Sequence, residues 1–136
     1  MFSQGDNENR RSVRFAEHVD PDSTVTLTKR IEEDATVEQL TVRVYRGAEL
    51  ALQVYPFVKR EGRRFPLIDF NGKSFVDGEG DKWQFDVSES VETDDLVGVE
   101  VTNTATDYGY DFSTDVSLDR AGGASRVVAF LQGVTG

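Results

Sequence analysis

The sequence has no cysteine, one histidine, one tryptophan and three prolines in 136 residues. Without cysteine there is no disulfide framework, no thiolate zinc site and no cysteine nucleophile, and the redox compartment stays open. The single imidazole, His18, excludes any site that needs two. No apolar run approaches the ~20 residues of a membrane-spanning helix. The N-terminal stretch MFSQGDNENRRSVRF lacks the apolar segment of a signal peptide, and there is no Asn-x-Ser/Thr acceptor site. A membrane partner is therefore not expected. Basic residues are also scarce: 15 Lys plus Arg stand against 25 Asp plus Glu, a formal charge of -10. A chain of this length buries about 68–70% of the surface its unfolded form exposes, enough for one core and one domain.

The charge is unevenly placed. Residues 1–68 hold 11 acids and 11 bases, whereas residues 69–136 hold 14 acids and 4 bases. The acids are spread along the second half, which describes a solvated acidic surface and not an acidic tail. Phosphate binding needs a basic face, so no nucleic acid is expected as a partner. Surplus carboxylate with only four lysines resembles the composition of proteins from halophilic archaea and their viruses. There, net charge maintains solubility while salt strengthens hydrophobic association. At 1 M salt the Debye length is only ~3 Å, so any partner must be held by shape and apolar contact.

Period-2 alternation of apolar and polar residues recurs through most of the chain. Leu40, Val42 and Val44 alternate with Thr41 and Arg43, and Leu50, Leu52 and Val54 with Ala51 and Gln53. The same pattern marks Val25 and Leu27, then Trp83, Phe85 and Val87, then Val97, Val99 and Val101. The longest case runs from Tyr108 to Leu118, and its length predicts a bulge near Thr114. With 18 Val and 11 Thr, helix is a poor competitor. Its best case, Asp34 to Val44, keeps at most one short turn before Leu40. Turns are marked at Arg46-Gly47-Ala48, Glu61-Gly62, Asn71-Gly72, Asp77-Gly78-Glu79-Gly80 and Thr93-Asp94-Asp95. Asn71-Gly72 is the strongest hairpin signal. A hairpin about Gly47 would pair Val44 with Leu50, Val42 with Leu52 and Leu40 with Val54. About eight short strands with no helix between them predict an all-β, antiparallel β-sandwich of jelly-roll type over residues 13–120. Residues 1–12 read as a polar arm, and residues 121–136 as a Gly-rich joint followed by an apolar segment.

No catalytic constellation emerges, and no cofactor is expected. Asp77, Glu79 and Asp81 alternate as calcium ligands do, but lack the later bidentate Glu of a complete loop, which leaves a weak candidate metal site. His18 lies near Asp20 and Asp22, yet no Gly-x-Ser-x-Gly elbow is present, and the surplus of acids makes carboxylate pairs uninformative. Trp83 shares the phase of Phe85 and Val87 and is expected in the core. Tyr45 and Tyr55 fall out of phase with Val44 and Val54, and exposed tyrosines mark a ligand platform or a protein interface. Lys59, Arg60, Arg63 and Arg64 flank Glu61-Gly62 as a basic tip. With Arg10 and Arg11 in the arm and Val127, Phe130 and Leu131 in the last apolar run, these form the expected interface set.

The segments ATVEQLTVRVYRGAELALQVYPFV, KWQFDVSESVETDDLVGVEVTN and YGYDFSTDVSLD together resemble small β-sandwich virion proteins of haloarchaeal tailed viruses, over roughly residues 24–119. That resemblance implies a non-enzymatic capsid decoration, cement or turret protein in a high-salt environment. It further implies a homo-oligomer, trimer or pentamer, seated on the major capsid protein or other virion proteins. The alternative is a carbohydrate- or cell-surface-binding module that meets a host glycan through Tyr45, Tyr55, Tyr108 or Tyr110. The acidic composition predicts that the melting temperature falls as salt drops well below about 1 M, where screening fades. A thermal melt that stays constant between about 0.1 and 3 M salt contradicts the halophilic reading.

Overall fold

A computed structural model describes residues 10–45, 51–69, 72–77 and 82–120. The Val and Thr alternation becomes eight strands: β1 (Arg10–Val19), β2 (Ser23–Arg30), β3 (Ala35–Val44), β4 (Leu52–Arg60), β5 (Arg63–Pro66), β6 (Lys82–Val91), β7 (Leu96–Asn103) and β8 (Tyr110–Arg120). They form two antiparallel sheets, in the orders β1-β8-β3-β6 and β2-β7-β4-β5. This is the strand order of an eight-stranded jelly roll. The pairs β1–β8, β2–β7, β3–β6 and β4–β5 make the chain one long ribbon folded back on itself and rolled into two layers. The pairs β3–β8 and β4–β7 then complete each sheet.

The ribbon continues around its corners. Ile31 N–H donates to Asp95 O at 2.8 Å and Asp94 N–H donates to Ile31 O at 2.8 Å, while Asp22 N–H donates to Ala105 O at 2.9 Å at the other end. Its fold-back point is Glu61-Gly62, with φ of 54° and 79° between the paired Arg60 and Arg63. Two consecutive positive φ angles describe a two-residue type I′ turn, whose twist matches the strands it joins.

Several sequence expectations are corrected. The Asn71-Gly72 turn falls partly outside the described residues, and the named strands on either side end at Pro66 and begin at Lys82. Gly72, at φ 84°, donates its N–H to Asp69 Oδ1 at 2.8 Å, a turn closed by a side chain. The β3–β4 hairpin does not form either, because the two strands lie in opposite sheets. Alternation sets which face of a strand is dry and says nothing about its neighbour, and Val44, Leu40, Leu52 and Val54 meet in the core instead. The helical rival is strand from Ala35 onward, with no turn before Leu40. The bulge falls in β3, where the register slips between Val37 and Gln39 against both β6 and β8, while β8 keeps an unbroken register against β1. Arg10 to Ser12 belong to β1 and pair with Asp119 to Ser117, so the strand begins inside the segment read as an arm.

The core is mostly valine and leucine. Val19, Val37, Leu40, Val54, Val99 and Val101 are fully buried, and Trp83, Phe85 and Val87 pack partly buried against them. Thr114 is buried among them, and its hydroxyl has no hydrogen-bond partner among the described residues. Gly98 on β7 has no room for a side chain: a Cβ there would lie 2.8 Å from Leu27 O, from the Phe57 ring and from Thr28 Cγ2. Gly98→Ala is expected to destabilise by about 1–3 kcal/mol, the usual cost of overpacking. Chemical denaturation checks this, and unchanged stability would mean that β2 or Phe57 gives way freely.

Candidate functional site

The outward face of the β2-β7-β4-β5 sheet carries an open cleft. Register sets Gln53 opposite Thr102 and Tyr55 opposite Glu100, in the phase opposite to the buried Val54, Val99 and Val101. Strand pleating therefore stands four polar or amphipathic side chains in a square on the outer surface. A wall is added by residues 72–77, where Val76 and Val54 exchange backbone hydrogen bonds of 2.8 Å in an isolated bridge. This bridge puts Ser74 and Phe75 beside the square. The six residues line an open cleft of about 220 Å³.

Packing beneath and beside the cleft holds it in shape. Phe57 shares the outward phase yet is fully buried. Its ring lies 5.4 Å from that of Tyr55 and beneath the Arg64 guanidinium, 4.3 Å from the ring centroid. Arg64 is also ion-paired with Glu100 Oε1 and lies 6.0 Å from the Tyr55 ring centroid. One cation thus ties both aromatic rings to the carboxylate across the sheet, an arrangement suited to the flat guanidinium. Lys73 lies 5.3 Å from the centroid of the Phe75 ring.

The residues singled out in the sequence are dispersed. Arg60 does not stand free at a tip: Nε donates to Asp95 Oδ2 at 3.1 Å and Nη2 donates to Ser90 O at 2.9 Å, which clamps β4 of one sheet to β6 of the other. Arg63 lies over Phe65 at 5.5 Å. Arg11 is exposed beside a smaller apolar cleft of about 50 Å³ floored by Val13, Ile31, Ala35 and Leu118. Arg10 lies in β1, although its side chain is outside the description. Tyr45 is half-buried with the Arg43 guanidinium 5.1 Å from its ring centroid. Tyr108 is 68% exposed, whereas Tyr110 packs against the core. Of the four tyrosines only Tyr55 reaches the cleft. Val127, Phe130, Leu131, Glu79 and Asp81 lie outside the described residues, and Asp77 faces Lys73 Nζ at 3.8 Å. Among the described residues no three potential ligands gather for a metal ion.

His18 pairs with neither Asp20 nor Asp22. Its Nδ1 lies 2.6 Å from Asp111 Oδ1 on the neighbouring β8, with both side chains more than half exposed. The sequence also gave no sign of two buried polar anchors. Asn103, 1% exposed, donates to Val19 O and Tyr108 O and accepts from Ala105 N–H, fastening the β7–β8 connection to the end of β1. Asp95, 7% exposed, accepts from Glu92 N–H at 2.8 Å as well as from Arg60. Gln53, Ser74, Phe75, Glu100 and Thr102 went unread because neither composition nor spacing singles them out.

No protein-family model matches the chain, and no curated protein is similar to it in sequence. Solved structures of similar arrangement include a chain in the acidic stable capsid structure of Helicobacter pylori bacteriophage KHP30. It has 10% identity and a TM-score of 0.49, with 81% of this chain and 92% of that one covered. The SPBc2 prophage-derived protein YomS has 16% identity and a TM-score of 0.48 over 79% of this chain and 94% of its own. The Yersinia pseudotuberculosis-derived mitogen has 7% identity and a TM-score of 0.49 over 78% and 84%. Phage- and virus-derived proteins are thus among these neighbours, at a distance that transfers no function.

Asp95→Ala leaves the part-buried Glu92 N–H and the Arg60 guanidinium without their shared acceptor, so it is expected to cost about 1–3 kcal/mol. Arg30→Ala, which breaks the exposed 2.9 Å pair with Asp94, is expected to cost no more than about 1 kcal/mol. Urea unfolding of the two variants side by side checks the ranking.

Proposed function

We propose that this protein is a non-enzymatic structural component of a virion: a decoration, cement or turret protein on the capsid of a haloarchaeal tailed virus. It acts by assembling into a symmetric trimer or pentamer on the shell. The observation that carries the reading is the pair of ten-residue edge strands, β1 and β6, that bound one sheet. Among the described residues no strand pairs with their outer sides, and long open edges are templates for another chain. Their charges differ in sign, which favours unlike edges meeting, while backbone hydrogen bonds and apolar contact hold the added strand once salt screens the charges. β1 presents exposed Arg11 and Arg14, and β6 presents exposed Asp86 with Glu89 beside it. Joining unlike edges gives a head-to-tail contact that closes into a ring when the rotation allows. The jelly-roll order, which viral shell domains share, is supporting analogy at the level of fold. Halophilic adaptation rests on the acidic, lysine-poor composition.

Light scattering after size exclusion in high salt is expected to give one discrete trimer or pentamer. Because exposed charges are screened at high salt, Arg14→Glu and Asp86→Arg are each expected to lower the share of oligomer more at about 0.5 M salt than at about 3 M, and the double exchange to restore it. A wild-type chain that stays monomeric at every salt and protein concentration sinks the assembly reading.

A further inference from the structure

We infer that the cleft on the outward face of the β2-β7-β4-β5 sheet is a binding site for a neutral pyranose sugar. The inference stands on the cleft alone and does not require the chain to assemble. Sugar recognition needs an apolar surface for the C–H face of the ring and several hydrogen-bonding groups converging on its hydroxyls; Tyr55 and Phe75 supply the surface, and Gln53, Ser74, Glu100 and Thr102 supply the groups.

Their hydrogen-bonding capacity is largely unspent. The Gln53 amide, the Tyr55 hydroxyl and the Ser74 hydroxyl have no hydrogen-bond partner among the described residues. Glu100 gives Oε1 to Arg64 and keeps Oε2 open, and Thr102 Oγ1 shares one bond of 3.1 Å with Thr24. An amide, a carboxylate oxygen and hydroxyls together offer both donors and acceptors, as a sugar hydroxyl requires. The scaffold is also held in advance: Arg64 fixes Glu100, Phe57 supports Tyr55, and the Val54–Val76 bridge holds the wall that carries Phe75. Preorganisation of this kind lowers the ordering cost of a weak ligand. Charge selects the class. Among the described residues Glu100 is the only charged group lining the cleft and it is already paired with Arg64, so the lining keeps no unpaired cation for an acidic sugar, and the chain's net charge of -10 further disfavours sialic and uronic acids against neutral ones.

The test is titration of the isotope-labelled full chain with methyl α-glucoside, methyl α-mannoside and methyl β-galactoside, each to about 100 mM, followed by amide chemical shifts. At that concentration a Kd of about 1 mM saturates. At least one pyranoside is expected to shift the amides of residues 53–55, 74–76 and 100–102 in a saturable way. Phe75→Ala and Gln53→Ala are each expected to weaken that response at least tenfold while the remaining spectrum stays dispersed, and Tyr108→Ala, outside the cleft, to leave it unchanged. No saturable shift at those amides with any of the three sugars overturns the inference, as does a response that survives both cleft variants. Either result leaves the light-scattering outcome unaffected.

Discussion

The structure depends on the antiparallel pairing of the first half of the chain with the second. Each strand before the Glu61-Gly62 turn lies against its counterpart after it, from β4 with β5 outward to β1 with β8. Rolling that ribbon puts the apolar phase of every strand inside and the polar phase outside. Among the described residues it also leaves each sheet with unpaired edges, the feature on which the proposed assembly rests. Every element of the candidate cleft follows from the same pairing, since Gln53 and Tyr55 meet Thr102 and Glu100 only because β4 lies against β7.

The pairing also resolves the uneven charge. A first half with balanced charge and a strongly acidic second half would make a molecule with an acidic side if each half folded by itself. Interleaving the halves brings cations of the first half to carboxylates of the second: Arg14 to Asp115, Arg30 to Asp94, Arg60 to Asp95 and Arg64 to Glu100. Most of these pairs are exposed and individually worth little. Their joint effect is to offset repulsion, and Arg14 with Asp115 also supports register, since these two face each other on the adjacent strands β1 and β8. Asp95 is the exception, a buried carboxylate that fixes a turn and clamps two sheets.

Much of the fold was legible because alternation reports burial directly. The phase of Phe112, Thr114, Val116 and Leu118, and that of Val97, Val99 and Val101, agrees with their burial in the core. Strand number and fold class follow from the same signal. What stayed hidden is partnership, which depends on residues far apart in sequence. Nothing local distinguishes a β3–β4 hairpin from a crossing between sheets, or ties His18 to Asp111. Tyr55 stood out by its phase, but the rest of its cleft did not, because Phe75 reaches it through a two-residue bridge too short to leave a periodic trace. Phe57 was illegible for another reason: it occupies an outward position and is buried there by Arg64 and Gly98, against the rule that phase predicts exposure.

The nested pairing has a kinetic meaning. Loop-closure entropy grows with the length of chain enclosed, so the two-residue turn at Glu61-Gly62 closes at the least cost, and each zipped pair shortens the loop that remains for the next. Pairing β1 with β8 directly, from Arg10 to Asp119, would enclose almost the whole chain, the slow regime of high contact order. The order of least entropy loss therefore runs from the middle of the chain outward and completes β1 last. The basic edge that a neighbouring subunit would meet exists only once the rest of the domain is in place, so incomplete chains present no finished edge to polymerise on.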